Sequence, residues 1–457
     1  MEFSLIIICL LSSFFVGIWG AMPAGKVYGV NLGSWLVLES WMMPEEWTAM
    51  GGQICDDCET CISSEYAFAR AYPKTVDAQF EKHWDTWFTE GHVNELKAAG
   101  INTVRIPLGY WIIEALVDRP TESYPRGGLK YLRRGLQWLQ AAGIQVILDH
   151  HAAPGVQSYK QLFTGNCTSD IQFFTPHNYH RALVWTAVMT TLAHLDPVFA
   201  NVFAIEAVNE PVSDANQTPG YGQFQKDFVQ TVREVEGLLG IPGFGNILSP
   251  VLGGNLTAAL SKASSSQKEV RAALQDAAPI LLDIGGMFAL LPMLTALPRI
   301  FPGRQPLITN FMDVTWQYNN PPNPAAAANG PQINDRHVYF AFGGATDRSP
   351  NAYLASVCNS IAKDAGDSQD DLTWVGEWSL ATEIDATDEF LRQFADAQKM
   401  LLSKGRGWIF WNFKTEKAVA RGWSYLEGLR KGFFTQDPSQ YNNPNICASY
   451  VTRDNGA

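Results

Sequence analysis

The apolar residues of this chain gather in short runs, and the longer segments between the runs show the periodicity of amphipathic helices. Short apolar runs bounded by polar residues are typical of buried strands. The predicted strands are Val27–Asn31, Thr103–Pro107, Gln145–Asp149, Val202–Ala207, Pro306–Asn310, His337–Phe340, Leu372–Gly376 and Trp408–Trp411. The predicted helices include Glu90–Ala99, Leu129–Ala142, His177–His194, Phe224–Leu239, Tyr353–Asp364 and Glu389–Ser403. Strands that alternate with helices predict a parallel sheet, and this set matches a closed (β/α)8 TIM barrel of the α/β class.

One long segment, about residues 240–304, interrupts the alternation between the fourth and fifth predicted strands. Within it Ile280–Leu297 is strongly apolar, but Asp283 and Pro292 interrupt the run. A membrane span needs about 20 consecutive apolar residues, so we predict no stable membrane span. We expect either a packed helical insertion or a lid over a cleft, within one domain that covers residues 21–457.

The first residues have the pattern of a targeting segment. Leu5–Leu11 is continuously apolar, and small residues follow near Gly20. This pattern predicts a cleaved signal peptide over residues 1–20 and secretion to the cell exterior or cell wall. Three Asn-x-Thr sequons, which begin at Asn166, Asn216 and Asn255, agree with N-glycosylation on that route.

The cysteines point to disulfides rather than to a metal. Cleavage of the signal peptide would remove Cys9 and leave Cys55, Cys58, Cys61, Cys167, Cys358 and Cys447. The close spacing of the first three also fits metal ligands, but no histidine lies near them and a secreted chain meets an oxidising compartment. Six cysteines allow fifteen pairings, so the sequence leaves the connectivity open.

The charge and the aromatic content restrict the partners of the protein. The formal net charge is -12, which argues against nucleic acid and anionic lipid as ligands. The chain has 15 tryptophans, and indole rings stack on the C–H faces of sugars. Such rings also fill protein cores. We predict a neutral ligand such as a polysaccharide, and a monomeric protein.

Polar side chains follow the predicted strands at the points where the strands end. They are Arg105, His151, Asn209, Glu210, His337 and Glu377. In (β/α)8 barrels the carboxyl ends of the strands form the active face. The pattern therefore predicts an enzyme site at this end of the barrel.

Two of these residues are glutamates that lie three strands apart, in Asn209-Glu210-Pro211 and in Gly376-Glu377-Trp378. Either one alone could be a loop salt bridge. Together they match glycoside cleavage, which needs one carboxyl to protonate the leaving oxygen and another to attack the anomeric carbon. Glu210 would need a raised pKa to stay protonated as the acid/base, and Glu377 should remain ionised as the nucleophile.

These motifs resemble glycoside hydrolase family 5. The runs Gly29–Glu39, Val104–Trp111 and Gly407–Trp411 are similar to its fungal β-glucanase branch. The resemblance implies that Arg105 orients the nucleophile and that Tyr339 holds Glu377. Asn209, beside the acid, could bind the sugar 2-hydroxyl. The sequence has no metal or phosphate-binding motif, so we expect no cofactor. The resemblance places Glu39, His151, His337 and Trp411 around the sugar. Arg105 and Glu39 could instead form structural ion pairs, and Trp411 could be a core residue.

Two groups of that branch fit the chain, endo-β-1,6-glucanases and exo-β-1,3-glucanases. The runs His83–Trp87, Glu114–Asp118, Tyr124–Gly128 and Phe163–Gly165 resemble the first group more closely. We therefore predict a retaining β-1,6-glucanase, with the exo-β-1,3 activity as the alternative. A catalytically silent glucan-binding protein and a glycolipid β-glucosidase are further alternatives.

Overall fold

The computed structural model describes residues 22–241, 256–263, 265–290, 304–313, 316–317, 330–342, 347–363 and 373–450. The predicted signal peptide, Cys9 and Asn255 lie outside these residues. So does the part of the apolar run beyond Leu290.

Eight parallel strands close into a barrel in which every strand pairs with its neighbours in sequence and β1 pairs with β8. The strands are β1 (Val27–Asn31), β2 (Thr103–Gly109), β3 (Gln145–Ala152), β4 (Val202–Glu206), β5 (Ile308–Met312), β6 (Gln332–Val338), β7 (Thr373–Trp378) and β8 (Gly407–Phe410). The predicted TIM barrel is confirmed.

The predicted bounds of β6 are wrong, since the strand starts at Gln332 and ends before Tyr339. Its side chains alternate between buried and more exposed positions, but two of the inward positions are the polar residues Asp335 and His337. A search for apolar runs misses such a strand because polar residues fill part of its buried face.

The helices are α1 (Pro44–Met50), α2 (Glu65–Ala71), α3 (Val76–Trp87), α4 (Glu90–Ala98), α5 (Gly128–Ala142), α6 (Pro176–Leu195), α7 (Tyr221–Leu239), α8 (Leu256–Ser261), α9 (Lys268–Met287), α10 (Pro350–Lys363), α11 (Asp388–Leu402), α12 (Ala420–Trp423) and α13 (Tyr425–Arg430). The main hydrophobic core lies between the strands and this helical layer.

The insertion between β4 and β5 contributes α8 and α9. Helix α9 packs against α6 and α7, and His180 of α6 lies 2.8 Å from Asp276 of α9. Every residue of α6 from Arg181 to Leu195 is buried, because α6 is covered both by the barrel and by the insertion. In its described part the insertion is thus a packed helical layer on the flank of the barrel and not a lid over its mouth.

No helix among the described residues is long and apolar enough to cross a membrane.

The interior of the barrel has an apolar floor below a polar layer. Side chains two residues apart in a strand point to the same side. In β3 the side chains of Ile147, Asp149 and His151 therefore all point into the barrel. The same alternation places Asp335 above Ile333 in β6 and Glu206 above Ala204 in β4. Buried carboxylates therefore lie directly beneath the barrel mouth.

The six cysteines form disulfides as predicted, and the structure gives the pairing that the sequence left open: Cys55–Cys61, Cys58–Cys167 and Cys358–Cys447. The last bond ties α10 to the C-terminal segment. That segment also binds α11, because Asp396 accepts hydrogen bonds from the backbone N–H groups of Asn442 and Asn443 at 3.1 and 2.7 Å.

We expect removal of the Cys358–Cys447 bond by a double substitution to serine to lower the free energy of unfolding by about 2–5 kcal/mol. The bond joins residues that are 89 positions apart, so it restricts a large part of the unfolded chain. Urea unfolding followed by tryptophan fluorescence measures the change. The matched control is the double serine variant at Cys55 and Cys61, which are 6 positions apart and should matter less. Equal losses in the two variants would contradict this explanation.

Candidate active site

Glu210 lies in the turn that leaves β4, and its backbone has an unusual conformation. Its φ is +37°, a left-handed value that costs a non-glycine residue on the order of 1 kcal/mol. Hydrogen bonds on either side hold the turn. The N–H of Asn209 donates to the carbonyl of His150 at 3.1 Å, and the Gln157 amide donates to the carbonyl of Asn209 at 3.0 Å. The carboxyl group is thereby directed into the barrel mouth, where its side chain is 18% exposed.

Glu377 lies near the end of β7 and receives two hydrogen bonds. Arg105 donates from Nη1 to its Oε1 at 2.9 Å, and the Tyr339 hydroxyl donates to its Oε2 at 2.7 Å. Glycine at the preceding position 376 leaves room for the buried carboxyl group of Asp335, because a Cβ there would lie 2.0 Å from Oδ1 of Asp335. Both donors favour the ionised form of Glu377.

His337 lies between the two glutamates. Its Nδ1 is 2.6 Å from Oε1 of Glu210 and 3.5 Å from Oε2 of Glu377. A shift in register between Arg336 and His337, where β6 pairs with β7, brings His337 opposite Glu377. Such irregularities re-aim side chains next to active sites. The nearest oxygens of the two carboxyl groups lie within 4.8 Å of each other.

The two carboxyl groups have different electrostatic surroundings. Burial raises the pKa of Glu210 to about 7. Burial also raises the pKa of Glu377, and the positive charge of Arg105 opposes that rise. Burial lowers the pKa of His337 to about 4, so the imidazole is neutral at neutral pH. Because Arg105 and Tyr339 donate hydrogen bonds to Glu377, the contacts favour the proton on Glu210 rather than on Glu377.

Arg105 is fully buried and organises the polar layer. Besides Glu377 it contacts Glu206 through Nε at 2.9 Å, Asp149 through Nη1 at 3.1 Å and Asp335 through Nε at 3.5 Å. Its Nη2 donates to Oδ1 of Asn209 at 2.7 Å, which fixes the amide beside Glu210. Burial opposes the charge of this guanidinium, but the surrounding carboxylates raise its pKa well above the usual range.

The other predicted site residues line the same mouth. The Trp411 ring is stacked on His151, with centroids 5.4 Å apart and 10° between the planes. His151 is held by Asp149, whose Oδ2 lies 2.6 Å from Nδ1. Glu39 accepts a hydrogen bond from Trp41 Nε1 at 2.9 Å, and burial raises the pKa of Glu39 to about 8. Eight of the nine predicted site residues thus lie at the carboxyl ends of the strands or in the adjoining loops. The exception is Arg105, which lies within β2 and reaches Glu377 through its long side chain.

Sequence reasoning missed two sets of residues. One is the polar layer formed by Asn31, Asp149, Glu206, Asn310 and Asp335. Acidic residues inside otherwise apolar strands are the signal that could have indicated it. The other consists of Trp41, Trp423 and Phe342, which form an aromatic rim around the predicted residue Tyr339. Phe342 is 73% exposed. Nothing in the local sequence distinguishes these aromatics from core residues.

Within the described part of the chain, Glu210, His337 and Glu377 have ligand atoms close enough together to be considered as a metal site. Arg105 and Tyr339 donate hydrogen bonds to Glu377, and Nδ1 of His337 is at hydrogen-bond distance from Glu210. The geometry fits proton transfer better than ion coordination.

Comparison with known proteins shows the family of the chain. The family description "Cellulase (glycosyl hydrolase family 5)" matches residues 73–417, more than half of the chain. A probable glucan endo-1,6-beta-glucosidase B of Aspergillus terreus is 27% identical, covering 93% of this chain and 90% of that protein. Glucan endo-1,6-beta-glucosidase B of Emericella nidulans is 29% identical, covering 91% and 87%.

Two further proteins are similar to the chain. A glucan 1,3-beta-glucosidase of Blumeria graminis is 27% identical, covering 93% of this chain and 90% of that protein. The crystal structure of rutinosidase from Aspergillus niger superimposes with a TM-score of 0.59 at 18% identity, covering 90% of this chain and 98% of that one, which shows a shared fold. With the family match over most of its barrel, the chain belongs to glycosyl hydrolase family 5 and is a glycoside hydrolase.

Proposed function

We propose that this enzyme is a secreted endo-β-1,6-glucanase that cleaves its substrate with retention of anomeric configuration. The observation that carries the mechanism is the pair of carboxyl groups, whose nearest oxygens lie within 4.8 Å and whose surroundings differ. Retaining glycosidases place their carboxyl groups about 5–5.5 Å apart, whereas inverting enzymes leave room for a water molecule between them.

The reaction takes two steps. In the first, an oxygen of Glu377 attacks the anomeric carbon, the glycosidic C–O bond breaks, and the proton of Glu210 passes to the leaving oxygen. In the second, Glu210 takes a proton from water, the water oxygen attacks the anomeric carbon, and the ester bond to Glu377 breaks. The protein then returns to its starting protonation state, with no cofactor consumed.

The surrounding residues serve these steps. Arg105 and Tyr339 hold Glu377 and stabilise its charge in the free enzyme. Because Oδ1 of Asn209 is bound to Arg105, its NH₂ group is the part that can donate to the sugar 2-hydroxyl. Trp411, whose ring stacks on His151, is the residue that we infer to contact the sugar ring, and Glu39 can bind hydroxyl groups.

The choice of linkage rests on the curated relatives, since the endo-1,6 proteins of Aspergillus terreus and Emericella nidulans align along most of this chain. The described part of the insertion packs on the barrel flank, which leaves it away from the mouth. Secretion is supported by the three disulfides and by the apolar N-terminal segment.

The test is product analysis on linear β-1,6-glucan and linear β-1,3-glucan in parallel, with the anomer of the first product read by proton NMR. We expect oligosaccharides from the β-1,6 polymer, formed first as the β-anomer. Glucose from the β-1,3 polymer alone would favour exo-β-1,3 activity instead. An initial α-anomer would exclude retention, and a folded protein that binds both polymers without cleaving either would be a glucan-binding protein.

A further inference from the structure

Two buried carboxyl groups beneath the active site share the same hydrogen-bond donors. Nδ2 of Asn310 lies 3.2 Å from Oε2 of Glu206 and 3.3 Å from Oδ2 of Asp335. Nε of Arg105 lies 2.9 Å from the first oxygen and 3.5 Å from the second. Both carboxyl side chains are fully buried. The carboxyl groups of Glu206 and Asp335 therefore lie side by side and share the Asn310 amide and the Arg105 guanidinium.

The charges in this layer do not balance if every acid is ionised. Among the described residues, Arg105 is the one cation that faces Asp149 of β3, Glu206 of β4, Asp335 of β6 and Glu377 of β7 within 3.5 Å. The two histidines of this layer are neutral, because burial lowers the pKa of His151, which lies 2.6 Å from Asp149, and of His337 to about 4. Several like charges around one cation in a dry interior are unstable, so protons must be retained. Asp335 is the acid farthest from the guanidinium and is stabilised least by it.

The two oxygens of Asp335 have different neighbours. Oδ2 faces the donors of Asn310 and Arg105, so it acts as an acceptor. Oδ1 has no hydrogen-bond partner within the described part of the chain, and it lies 3.9 Å from Nε2 of His337, which likewise has none there. A small rotation of either side chain closes that gap to hydrogen-bond distance. A proton on Asp335 belongs on Oδ1, facing the histidine.

We propose that Asp335 is a neutral carboxylic acid that donates a hydrogen bond from Oδ1 to Nε2 of His337 and thereby holds the histidine proton on Nδ1. Asp335 is then a positioning residue that acts on Glu210 through the imidazole. Burial, together with the charge on Glu206, raises the pKa of Asp335 well above its usual range, which agrees with the neutral form.

This inference rests on the proposed function and adds a reason for the direction of proton transfer. With its proton on Nδ1, His337 donates to Oε1 of Glu210 across the 2.6 Å contact. The acidic proton of Glu210 must then sit on the other oxygen, Oε2, where it can reach the leaving oxygen of the substrate. The opposite tautomer would draw the Glu210 proton towards the imidazole and away from the substrate.

The tautomer of His337 in the wild-type enzyme is the direct test. Selective ¹⁵N labelling of the eight histidines and two-dimensional NMR distinguish a protonated Nδ1 from a protonated Nε2. The His337→Gln variant assigns the signal. We expect a neutral ring with its proton on Nδ1. A proton on Nε2 would overturn the proposal, and this readout does not depend on any substrate.

Two variants add a kinetic test. Asp335→Ala removes the donor, and we expect kcat/KM on β-1,6-glucan to fall roughly 10–100-fold, a part of the general acid contribution. The loss should shrink on 2,4-dinitrophenyl β-gentiobioside, whose leaving group needs no protonation.

Asp335→Asn has the shape and the N–H donor of the neutral acid, so it should recover at least about tenfold of the loss. Equal losses in the two variants would mean that an ionised Asp335 is required. A wild type without glycosidase activity would refute the proposed function while leaving the NMR result valid.

Discussion

Replacement of Glu377 by alanine is expected to lower kcat on β-1,6-glucan by roughly 10⁴-fold or more, the scale seen when a nucleophile is removed from a hydrolase. The attacking carboxylate is lost, and Arg105 and Tyr339 are left with their donors directed into an empty space. Reducing-sugar release measures the change. Glu389→Ala is the matched control, because Glu389 is an exposed glutamate in the first turn of α11.

The stereochemistry of chemical rescue tests the role of Glu377 more sharply than the loss itself. Azide can occupy the space left by the side chain and attack an activated aryl β-gentiobioside in a single displacement. The product of Glu377→Ala with azide should therefore be an α-glycosyl azide. Formation of a β-glycosyl azide by this variant would show that a nucleophile other than Glu377 acts in the first step.

Replacement of Glu210 by alanine is expected to lower kcat/KM on β-1,6-glucan by roughly 10²–10⁴-fold, the usual contribution of a general acid. The loss should be far smaller on 2,4-dinitrophenyl β-gentiobioside, because that leaving group departs without a proton. Azide should restore turnover and yield a β-glycosyl azide, since it attacks the glycosyl-enzyme from the face that Glu210 normally serves.

The pH dependence of kcat/KM gives a second test of the role of Glu210. The pKa of Glu210 is raised to about 7, so its carboxyl group is protonated below that pH and loses the proton as the pH rises above it. For the wild type we expect kcat/KM on the polysaccharide to decline above about pH 7. The decline should be absent from Glu210→Ala on the dinitrophenyl substrate. A basic limb that persists in the variant would have to come from another group.

The carboxylate pair was predictable because each glutamate follows an apolar strand in its own short motif. Glu206 lies in the same segment as Glu210 but was not predicted as part of the site. The local sequence does not distinguish a glutamate in a buried ion pair from a catalytic acid. Asp335 was missed for a related reason, as the strand that carries it has too few apolar residues to be located correctly. The insertion was expected from its composition, but its position on α6 and α7 depends on which helix faces were left uncovered.

The alternation of apolar strands and amphipathic helices along the chain is enough to predict the barrel, because it permits few other layered folds. The order of residues also indicates which polar residues follow the strands, although Arg105 lies within β2 and not at its end. The tertiary structure was needed to establish the disulfide pairing, the distance between the carboxyl groups and the burial that raises the pKa of Glu210 to about 7. Those properties depend on contacts between residues far apart in the chain. Desolvation and Coulomb interactions act through space, and closure of the barrel brings side chains of β1, β3, β4, β6 and β7 around Arg105.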